Sequence, residues 1–506
     1  RAAAGTWRKG AVRSIRLYSS LRQAASGQAE GDPKRRDLLG GKGAGLAEMT
    51  SLGLPVPPGF TLSTDVCNAY VKDGKYPPSL EEHVRAALLR IETSVGAKFG
   101  DASNPLLLSV RSGAKFSMPG MMNTILNLGL NDKTTEGLSK LTGNPRFAYD
   151  CYRRFISMFG EVAFGVEMEY FDEVFDARKK KATRNLDTDL TAADLQSIIE
   201  DFKKVFTKFA KREFPQDVKE QLVLSRDAVF MSWWAPKACY YRKMEKISDR
   251  LGTACNIQAM VFGNMGDDSG TGVAFTRDPS TGERRFYGEF LVNAQGEDVV
   301  AGIRTPLHID EMAQYLPAAH AQLLETQDRL ERHFRDMQDI EFTVERGTLY
   351  LLQTRTGKRT TAAALRIATD MVTEGLIEQR EAVMRLQPNQ LDQLLHRVIS
   401  PTVRADAIAT GLPASPGAAS GIAVFDPDAA EQRAARGELV ILVRDETTPE
   451  DFHGMVAARA ILTARGGMTS HAAVVARGMG KCAVVGCTEA EISHEHRRMT
   501  VGTVVV

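Results

Sequence analysis

TARGGMTSHAAVVARGMG, residues Thr463–Gly480, is the stretch on which the reading of this chain turns. It continues a β-like run (ARAILTA), passes two glycines, and reaches Thr469, Ser470 and His471 before a helical segment that the pattern ends at Gly478. Glycines at such a turn let backbone approach a ligand closely. Ser470 is a natural N-cap, so His471 is expected in the first helical turn, beside backbone N–H groups and the positive end of the helix dipole. That position disfavours imidazolium, keeps a ring nitrogen able to attack, and favours an anion on or beside it. A phosphoryl carrier suits the place. A plain surface histidine at a helix start is the other reading of the residues alone.

A second constellation is Asp339-Ile340-Glu341-Phe342-Thr343-Val344. Read as a strand, it turns Asp339 and Glu341 to one face and Ile340, Phe342 and Val344 to the core. Two adjacent carboxylates repel, and a divalent cation relieves that repulsion. A tight turn at Arg346-Gly347 is expected to return the chain along Leu349–Leu352 to Gln353 and Arg355, again on one face. Two acids, an amide and an arginine on adjacent strands suit a metal–nucleotide surface; a solvent-facing hairpin is the alternative.

In the N-terminal third, GGKGAG around Lys42 lacks the Ser or Thr that follows the lysine of a P-loop, so that motif is excluded. Leu106–Val110 reads as a buried strand, with Arg111 at its end next to the SMPGM loop. Lys42 and Arg111 are suited to triphosphate oxygens, with Gly113 and Gly120 letting backbone N–H groups close over them.

The chain has 506 residues, enough for about three domains. Lys+Arg 64 against Asp+Glu 63 gives a net charge of +1, which excludes a strong field for nucleic acid or an anionic membrane. No apolar run reaches the ~18 residues of a membrane-spanning helix. The six cysteines contain no CxxC pair and read as reduced thiols; Cys482 and Cys487 flank an apolar run and are expected in the core. The first thirty residues carry Arg1, Arg8, Lys9, Arg13, Arg16 and Arg22 and no acid before Glu30. They read as an organelle transit segment or as a first strand over 14–19.

Coarse patterning makes residues 145–250 helix-rich, with a helix capped by Thr191 and Asp194 that sets Leu195, Ile198, Ile199, Phe202, Val205 and Phe206 on one face. The basic run Arg178–Arg184 before it is expected to be a solvated loop. Strands are expected over 256–276 and 339–355, and helix over 360–400. GLPASPGAASG, Gly411–Gly421, reads as a linker and domain boundary. The last hundred residues read as a compact α/β unit with strand-like runs GIAVF, LVILV, AAVVA, CAVVG and TVVV. Trp233-Trp234 reads as a helix-packing pair, and His494 and His496 as solvated residues.

GGMTSHAAVVARG resembles the phosphohistidine motif of the phosphoenolpyruvate-utilising enzyme family. Its form with Met468 and Gly480-Lys481-Cys482 is similar to the pyruvate, phosphate dikinase branch; the synthase and sugar-phosphotransferase branches commonly have Arg in place of Met468. LLSVRSGA, SMPGMMNTILNLGLND, FAYDCYRRFISMFG, VFGNMG, GTGVAFTRDPSTGE, GEFLVNAQGEDVVAGIRTP, DIEFTV and LQTRTGKRT extend the resemblance from about Arg35 to the C-terminus. One departure is Asn123, where the branch leads one to expect Asp.

The resemblance implies an α/β and α+β multidomain protein. A leader (1–30) precedes an ATP-grasp nucleotide-binding domain with a helical insert (31–360), a helical linker (361–410) and a compact α/β phosphohistidine swivelling domain (411–506). It implies that His471 is the phosphorylated intermediate and that Lys42, Arg111, Gly120, Glu297, Asp339, Glu341, Gln353 and Arg355 are nucleotide contacts. Glu341, Gln353 and Asp339 would hold metal, and Thr469 matches a position phosphorylated in plant members by a regulatory kinase/phosphatase. The implied reaction is ATP + pyruvate + phosphate to AMP + phosphoenolpyruvate + diphosphate, with Mg²⁺ and a monovalent cation (K⁺ or NH₄⁺), in a plastid or the cytoplasm, by a homodimer. The family's C-terminal barrel, with the pyruvate site, is expected after the phosphohistidine domain. For the sequence up to Val506 the expectation is therefore the ATP/phosphate partial reactions. Phosphoenolpyruvate synthase and a non-catalytic nucleotide-binding fragment are the alternatives.

Overall fold

The computed structural model describes residues 15–18, 32–118, 121–182, 187–301, 306–386, 399–400 and 407–506. The chain divides into two units, Arg1–Val261 and Phe262–Val506. Most of the leader, Gly120, Arg184 and parts of the helical linker (387–398 and 401–406) lie outside the described residues.

In the first unit, β1 (Ile15–Tyr18), β2 (Gly59–Leu62), β3 (Leu108–Ala114), β4 (Thr124–Leu128) and β5 (Thr253–Ala259) form an antiparallel sheet in the order β1-β2-β5-β3-β4. The described part of the leader is thus a strand, with Ile15 opposite Leu62. The apolar run before Arg111 enters the sheet two residues later than its sequence suggests. Arg111 therefore lies inside β3, opposite Asn256 and Thr124, and not at its end. The extra length comes from the Arg-Ser-Gly-Ala segment, which pairs with β5 although it is not apolar.

The glycine-rich segment is helical over Arg36–Ser51 with a break at Gly40, whose φ is +67°. A Cβ at Gly40 would lie 1.6 Å from the carbonyl oxygen of Gly113, so this helix comes as close to β3 as glycine alone permits.

The helical part of this unit follows the pattern. Thr191 caps Ala192–Ala210 in a capping box with Asp194, and Leu195, Ile198, Ile199, Phe202 and Phe206 are buried, while Val205, at the edge of that face, is half-buried. Two expectations fail nearby. Arg178–Lys181 is not loop: it ends the helix Met168–Lys181, where cations suit the negative end of the dipole. Arg178 pairs with Asp201 and Lys179 with Asp187 at 2.6 Å. Trp233 is buried beneath the Arg242 guanidinium, 4.0 Å from its ring, whereas Trp234 is exposed.

In the second unit, β6 (Gly270–Phe275), β7 (Tyr287–Val292), β8 (Leu307–His308), β9 (Gln338–Glu345) and β10 (Thr348–Thr356) form an antiparallel sheet in the order β10-β9-β6-β7-β8. Arg346 and Gly347 make the β9–β10 turn with left-handed backbone, φ 47° and 75°. The helix Thr361–Thr373 packs Ala363, Ile367 and Met371 against Phe275 and Met337.

The same unit contains a second sheet: β11 (Leu412–Ser415), β12 (Ile422–Val424), β13 (Val440–Arg444), β14 (Ala460–Thr463) and β15 (Cys482–Val485), ordered β11-β15-β14-β13-β12. β12 to β15 are parallel and β11 adds an antiparallel edge. The Gly411–Gly421 stretch is thus not linker throughout: its Leu412–Ser415 part pairs with β15. AAVVA, Ala472–Ala476, is helix and not strand, because it falls inside His471–Met479, a helix whose C-cap is Gly480, slightly beyond the expected end. A small meander, β16 (Glu491–Ser493), β17 (Arg498–Val501) and β18 (Val504–Val505), closes the described chain. His494 Nε2 lies 2.8 Å from Asp445, and His496 is exposed. Cys487 is buried. Cys482, the first residue of β15, is only half-buried, and its Sγ donates to Gly417 O at 3.3 Å. All six cysteines are free thiols.

Candidate active site

β14 ends at Thr463, and the chain then makes the turn Ala464–Ser470 before entering the helix His471–Met479. This places the turn at the carboxyl end of a parallel strand, the end at which open α/β sheets bind ligands. Ser470 has extended backbone (φ −61°, ψ 161°), and its hydroxyl accepts from the Ala473 N–H, as the N-cap reading requires. His471 is the first helical residue. Its Nδ1 lies 3.0 Å from the Thr447 hydroxyl. Thr447 follows the carboxyl end of β13, the neighbouring parallel strand, so the meeting of the two side chains is a consequence of the sheet order.

The β9–β10 hairpin brings its four polar residues into direct opposition. Gln353 lies across from Glu341 and Arg355 across from Asp339, after a bulge between Leu351 and Gln353. The bulge matters, because one extra residue restores Gln353 and Arg355 to the face of Asp339 and Glu341. Arg355 Nε binds Asp339 Oδ2 at 2.7 Å, and its Nη2 is 3.9 Å from Glu341 Oε1. Burial pushes the Asp339 carboxyl up from its ordinary value, against the pull of Arg355. Burial acts downward on Arg355, but Asp339 and Glu341 outweigh it and raise the guanidinium. The solvent-facing alternative fails for Asp339, which is 2% exposed.

Two buried oxygens in this group, Asp339 Oδ1 and Gln353 Oε1, have no hydrogen-bond partner. Acceptors of that kind, with no donor supplied, fit a hard cation better than they fit the protein around them.

Register extends the same face across the sheet. Glu341 lies opposite Val273 of β6, Val273 opposite Glu289 of β7, and Glu289 opposite His308 of β8. The neighbouring row runs Arg355, Asp339, Phe275, Tyr287. Directly opposed residues share a face, so Glu289 points the same way as Glu341, two strand spacings or about 10 Å along the sheet.

Glu289 holds the histidine turn. Its Oε1 accepts from the Met468 N–H at 2.9 Å; its Oε2 accepts from the Thr469 N–H at 3.3 Å and the Thr469 hydroxyl at 2.7 Å. Gly467 makes room for this contact, because a Cβ there would lie 2.5 Å from both carboxylate oxygens. On the other side of the turn, Arg477 of the same helix donates from Nη2 to the Met468 carbonyl. The Met468 peptide is thus gripped at both ends.

The structure therefore brings together Asp339, Glu341, Gln353 and Arg355 on one sheet face, and Thr469 and His471 on a turn bound to that face. Lys42 and Arg111 belong to the first unit, both half-buried. Glu297 lies in the helix Gly296–Ala301, and Gly120 lies outside the described residues. Sequence reasoning missed Thr447, Glu289 and Arg477 as members of the site. Glu289 and Arg477 stand within the motif stretches GEFLVNAQGED and ARGMG; Thr447 carries no local signal.

Two family models match the chain. The mobile domain of phosphoenolpyruvate-utilising enzymes matches residues 437–503, which include β13 to β15 and His471. The AMP/ATP-binding domain of pyruvate phosphate dikinase matches residues 36–78, 71–313 and 310–376. The chain belongs to the pyruvate, phosphate dikinase family. Proteins of that name from Clostridium symbiosum and Rhizobium meliloti (strain 1021) are each 54% identical to it, over 94% and 95% of this chain and 55% of their own lengths. A chloroplastic one from Arabidopsis thaliana is 54% identical over 95% of this chain and 50% of its own length. The chain spans about half the length of the curated relatives it matches. Among the described residues no helix is long and apolar enough to cross a membrane.

Proposed function

We propose that this chain carries the ATP- and phosphate-using half of a pyruvate, phosphate dikinase reaction, with His471 as the phosphoryl carrier. The observation that carries the reading is the Glu289 contact, which holds the His471 turn on the sheet face that bears Asp339, Glu341, Gln353 and Arg355. In this reading residues 31–360 are the ATP-grasp domain, 361–410 the helical connection and 411–506 the swivelling phosphohistidine domain.

Lys42, Arg111 and Arg355 would bind phosphoryl oxygens, with Gly120 and Glu297 further nucleotide contacts. Asp339, Glu341 and Gln353 would hold Mg²⁺, which supplies charge neutralisation at the phosphoryl oxygens when bound. The two orphaned oxygens support that donor set. A monovalent cation, K⁺ or NH₄⁺, is carried over from the family without a donor set of its own.

Thr447 engages Nδ1, so Nε2 is the attacking nitrogen. If Nδ1 carries the proton, the Thr447 hydroxyl accepts it and fixes the tautomer and ring angle. Nε2 forms a bond to the β-phosphorus of ATP as the bond to the α–β bridging oxygen breaks, and AMP leaves with the electron pair. An oxygen of inorganic phosphate then attacks the γ-phosphorus, releasing diphosphate and leaving phosphohistidine. By the family resemblance, pyruvate and its conversion to phosphoenolpyruvate, and the homodimer contact, are assigned to the part of the relatives' length that this chain does not span.

Thr469 is proposed as a regulatory phosphorylation site for a kinase/phosphatase. Its hydroxyl donates to Glu289, and a phosphate there would set a dianion against that carboxylate and beside the imidazole. The basic leader and the chloroplastic relatives support a plastid address, with the cytoplasm as alternative; a fluorescent fusion with and without residues 1–30 separates them.

The test is labelling. Incubation with Mg²⁺ and ATP labelled at the β-phosphate is expected to give acid-labile, base-stable label on His471 and none in His471→Asn. Label that persists in His471→Asn overturns the assignment. Turnover that requires phosphate separates the dikinase from phosphoenolpyruvate synthase, which uses water as the γ-acceptor.

A further inference from the structure

Arg477 is an ion with too few partners. Its side chain is 2% exposed, one nitrogen donates to the Met468 carbonyl, and Nε and Nη1 have no hydrogen-bond partner. Burial lowers its proton affinity from the ordinary arginine value, against the charges of Tyr287, Asp339, Glu289 and Asp278, which raise it. A helical side chain leans toward the helix N-terminus, so the guanidinium reaches back from the last turn to the segment preceding His471. There it sits over Phe275, with its central carbon 5.9 Å from the ring centroid. Phe275 is the residue between Asp339 and Tyr287 in the cross-strand row.

The unpartnered atoms are chemically complementary. Arg477 offers two donor nitrogens, and Asp339 Oδ1 and Gln353 Oε1 offer two acceptors; Arg477 lies over Phe275, the cross-strand neighbour of Asp339, and feels the Asp339 charge. No single protein side chain satisfies both sets. A polyphosphate with its divalent cation does: phosphoryl oxygens accept from the guanidinium, and the cation takes the carboxylate and amide oxygens.

We propose that Arg477 binds the non-bridging oxygens of a polyphosphate lying between β9 and the Met468–His471 turn, so that the histidine domain brings its own arginine to the group being transferred. This rests on His471 as the carrier. In the transfer step Arg477 gives and takes no proton; the Nε2–P bond forms, the P–O bond to AMP breaks, and the guanidinium offsets charge on the non-bridging oxygens as it shifts. Arg477 differs in this from Arg355, whose Nε is already committed to Asp339.

The experiment uses the full chain with Arg477→Gln and Arg477→Lys. Single-turnover labelling of His471 from β-labelled ATP is expected to slow about 100-fold in Arg477→Gln, with Arg477→Lys between it and the parent. Thermal melting with and without Mg²⁺ and pyrophosphate supplies the second readout. The proposal expects Arg477→Gln to melt no lower than the parent without ligand, because two buried unpartnered donors of a charged group are removed, and to lose most of the pyrophosphate-induced rise. A purely structural brace predicts the reverse: a lower melting point without ligand and an unchanged rise. Parent-like labelling in Arg477→Gln, or an unchanged pyrophosphate rise, overturns the proposal.

If Arg477→Gln does not fold, Arg477→Lys decides, since one ammonium in place of a forked guanidinium is expected to shrink the rise. Absence of label in the parent, together with an Arg477-dependent pyrophosphate rise, would instead refute the carrier role of His471 and leave the anion site standing.

Discussion

Gly467→Ala tests how the histidine turn is held. An alanine Cβ would stand 2.5 Å from both oxygens of Glu289, nearly 1 Å inside ordinary contact. The carboxylate ends a flexible side chain, so it yields before the sheet does. In yielding it releases the Met468 N–H at 2.9 Å, the Thr469 N–H at 3.3 Å and the Thr469 hydroxyl at 2.7 Å. Hydrogen bonds to a charged group contribute roughly 1.5–3 kcal/mol each, and water recovers part of that when the turn lifts away. A net loss of about 2 kcal/mol is expected, which lowers the equilibrium constant for the bound turn by about 30-fold and sets the upper bound on the slowing. Single-turnover labelling of His471 should slow by up to that factor. Mg²⁺·ATP should still bind through the β9–β10 residues, with affinity falling only by the part that Arg477 contributes when the turn is in place. Glu289→Asp withdraws the carboxylate by one methylene, so Gly467→Ala/Glu289→Asp should label faster than the product of the two single effects. Parent-like labelling in Gly467→Ala, or a double variant that shows no such coupling, would refute this account of how the turn is bound.

Three further outcomes are expected. Asp339→Asn should weaken Mg²⁺·ATP binding at least ~10-fold by calorimetry, because it removes the charge that both Arg355 and the proposed cation share. Thr447→Val should slow labelling about 5-fold, the equivalent of one hydrogen bond of ~1 kcal/mol, and shift the pH profile of the single-turnover rate, since Nδ1 loses its partner. Asp150 is buried, which alone would raise its carboxyl, but Arg153, Arg154 and Arg146 outweigh burial and hold it well below the usual range. Its contribution is therefore present above the unfolded carboxylate value and lost as pH falls through the lower folded one. Asp150→Asn should cost about 3 kcal/mol at pH 7 by denaturant unfolding and give a shallower acid limb.

Much of the site was legible because its signals are local. A serine before a histidine caps a helix whatever surrounds it, and Ser470 does so here. Alternation placed Asp339 and Glu341 on one face and Ile340, Phe342 and Val344 on the other, since strand geometry has a period of two. Errors arose where tertiary pairing overrode composition. Leu412–Ser415 has the small, turn-forming residues of a linker, yet β15 offers it an edge to pair with. Arg178–Lys181 has the charge of a loop, yet the carboxylates of Asp201 and Asp187 and a helix C-terminus neutralise it. AAVVA is as apolar as a strand but follows an N-cap and is helical.

The sequence by itself determined the histidine at its helix start, the acidic hairpin and the family to which the chain belongs, because each depends on neighbouring residues or on long ordered similarity. Only the tertiary structure decided what those elements face. The bulge after Leu351 returns Gln353 and Arg355 to the acidic side. The order β10-β9-β6-β7 sets Glu289 in line with Glu341, and Glu289 in turn binds the segment before His471. The Arg477 guanidinium is buried beside them with donors unfilled. Glu289, the Glu341–Gln353 hairpin and Arg477 are far apart along the chain, and no local propensity links the three. Strand register and the burial of charge do.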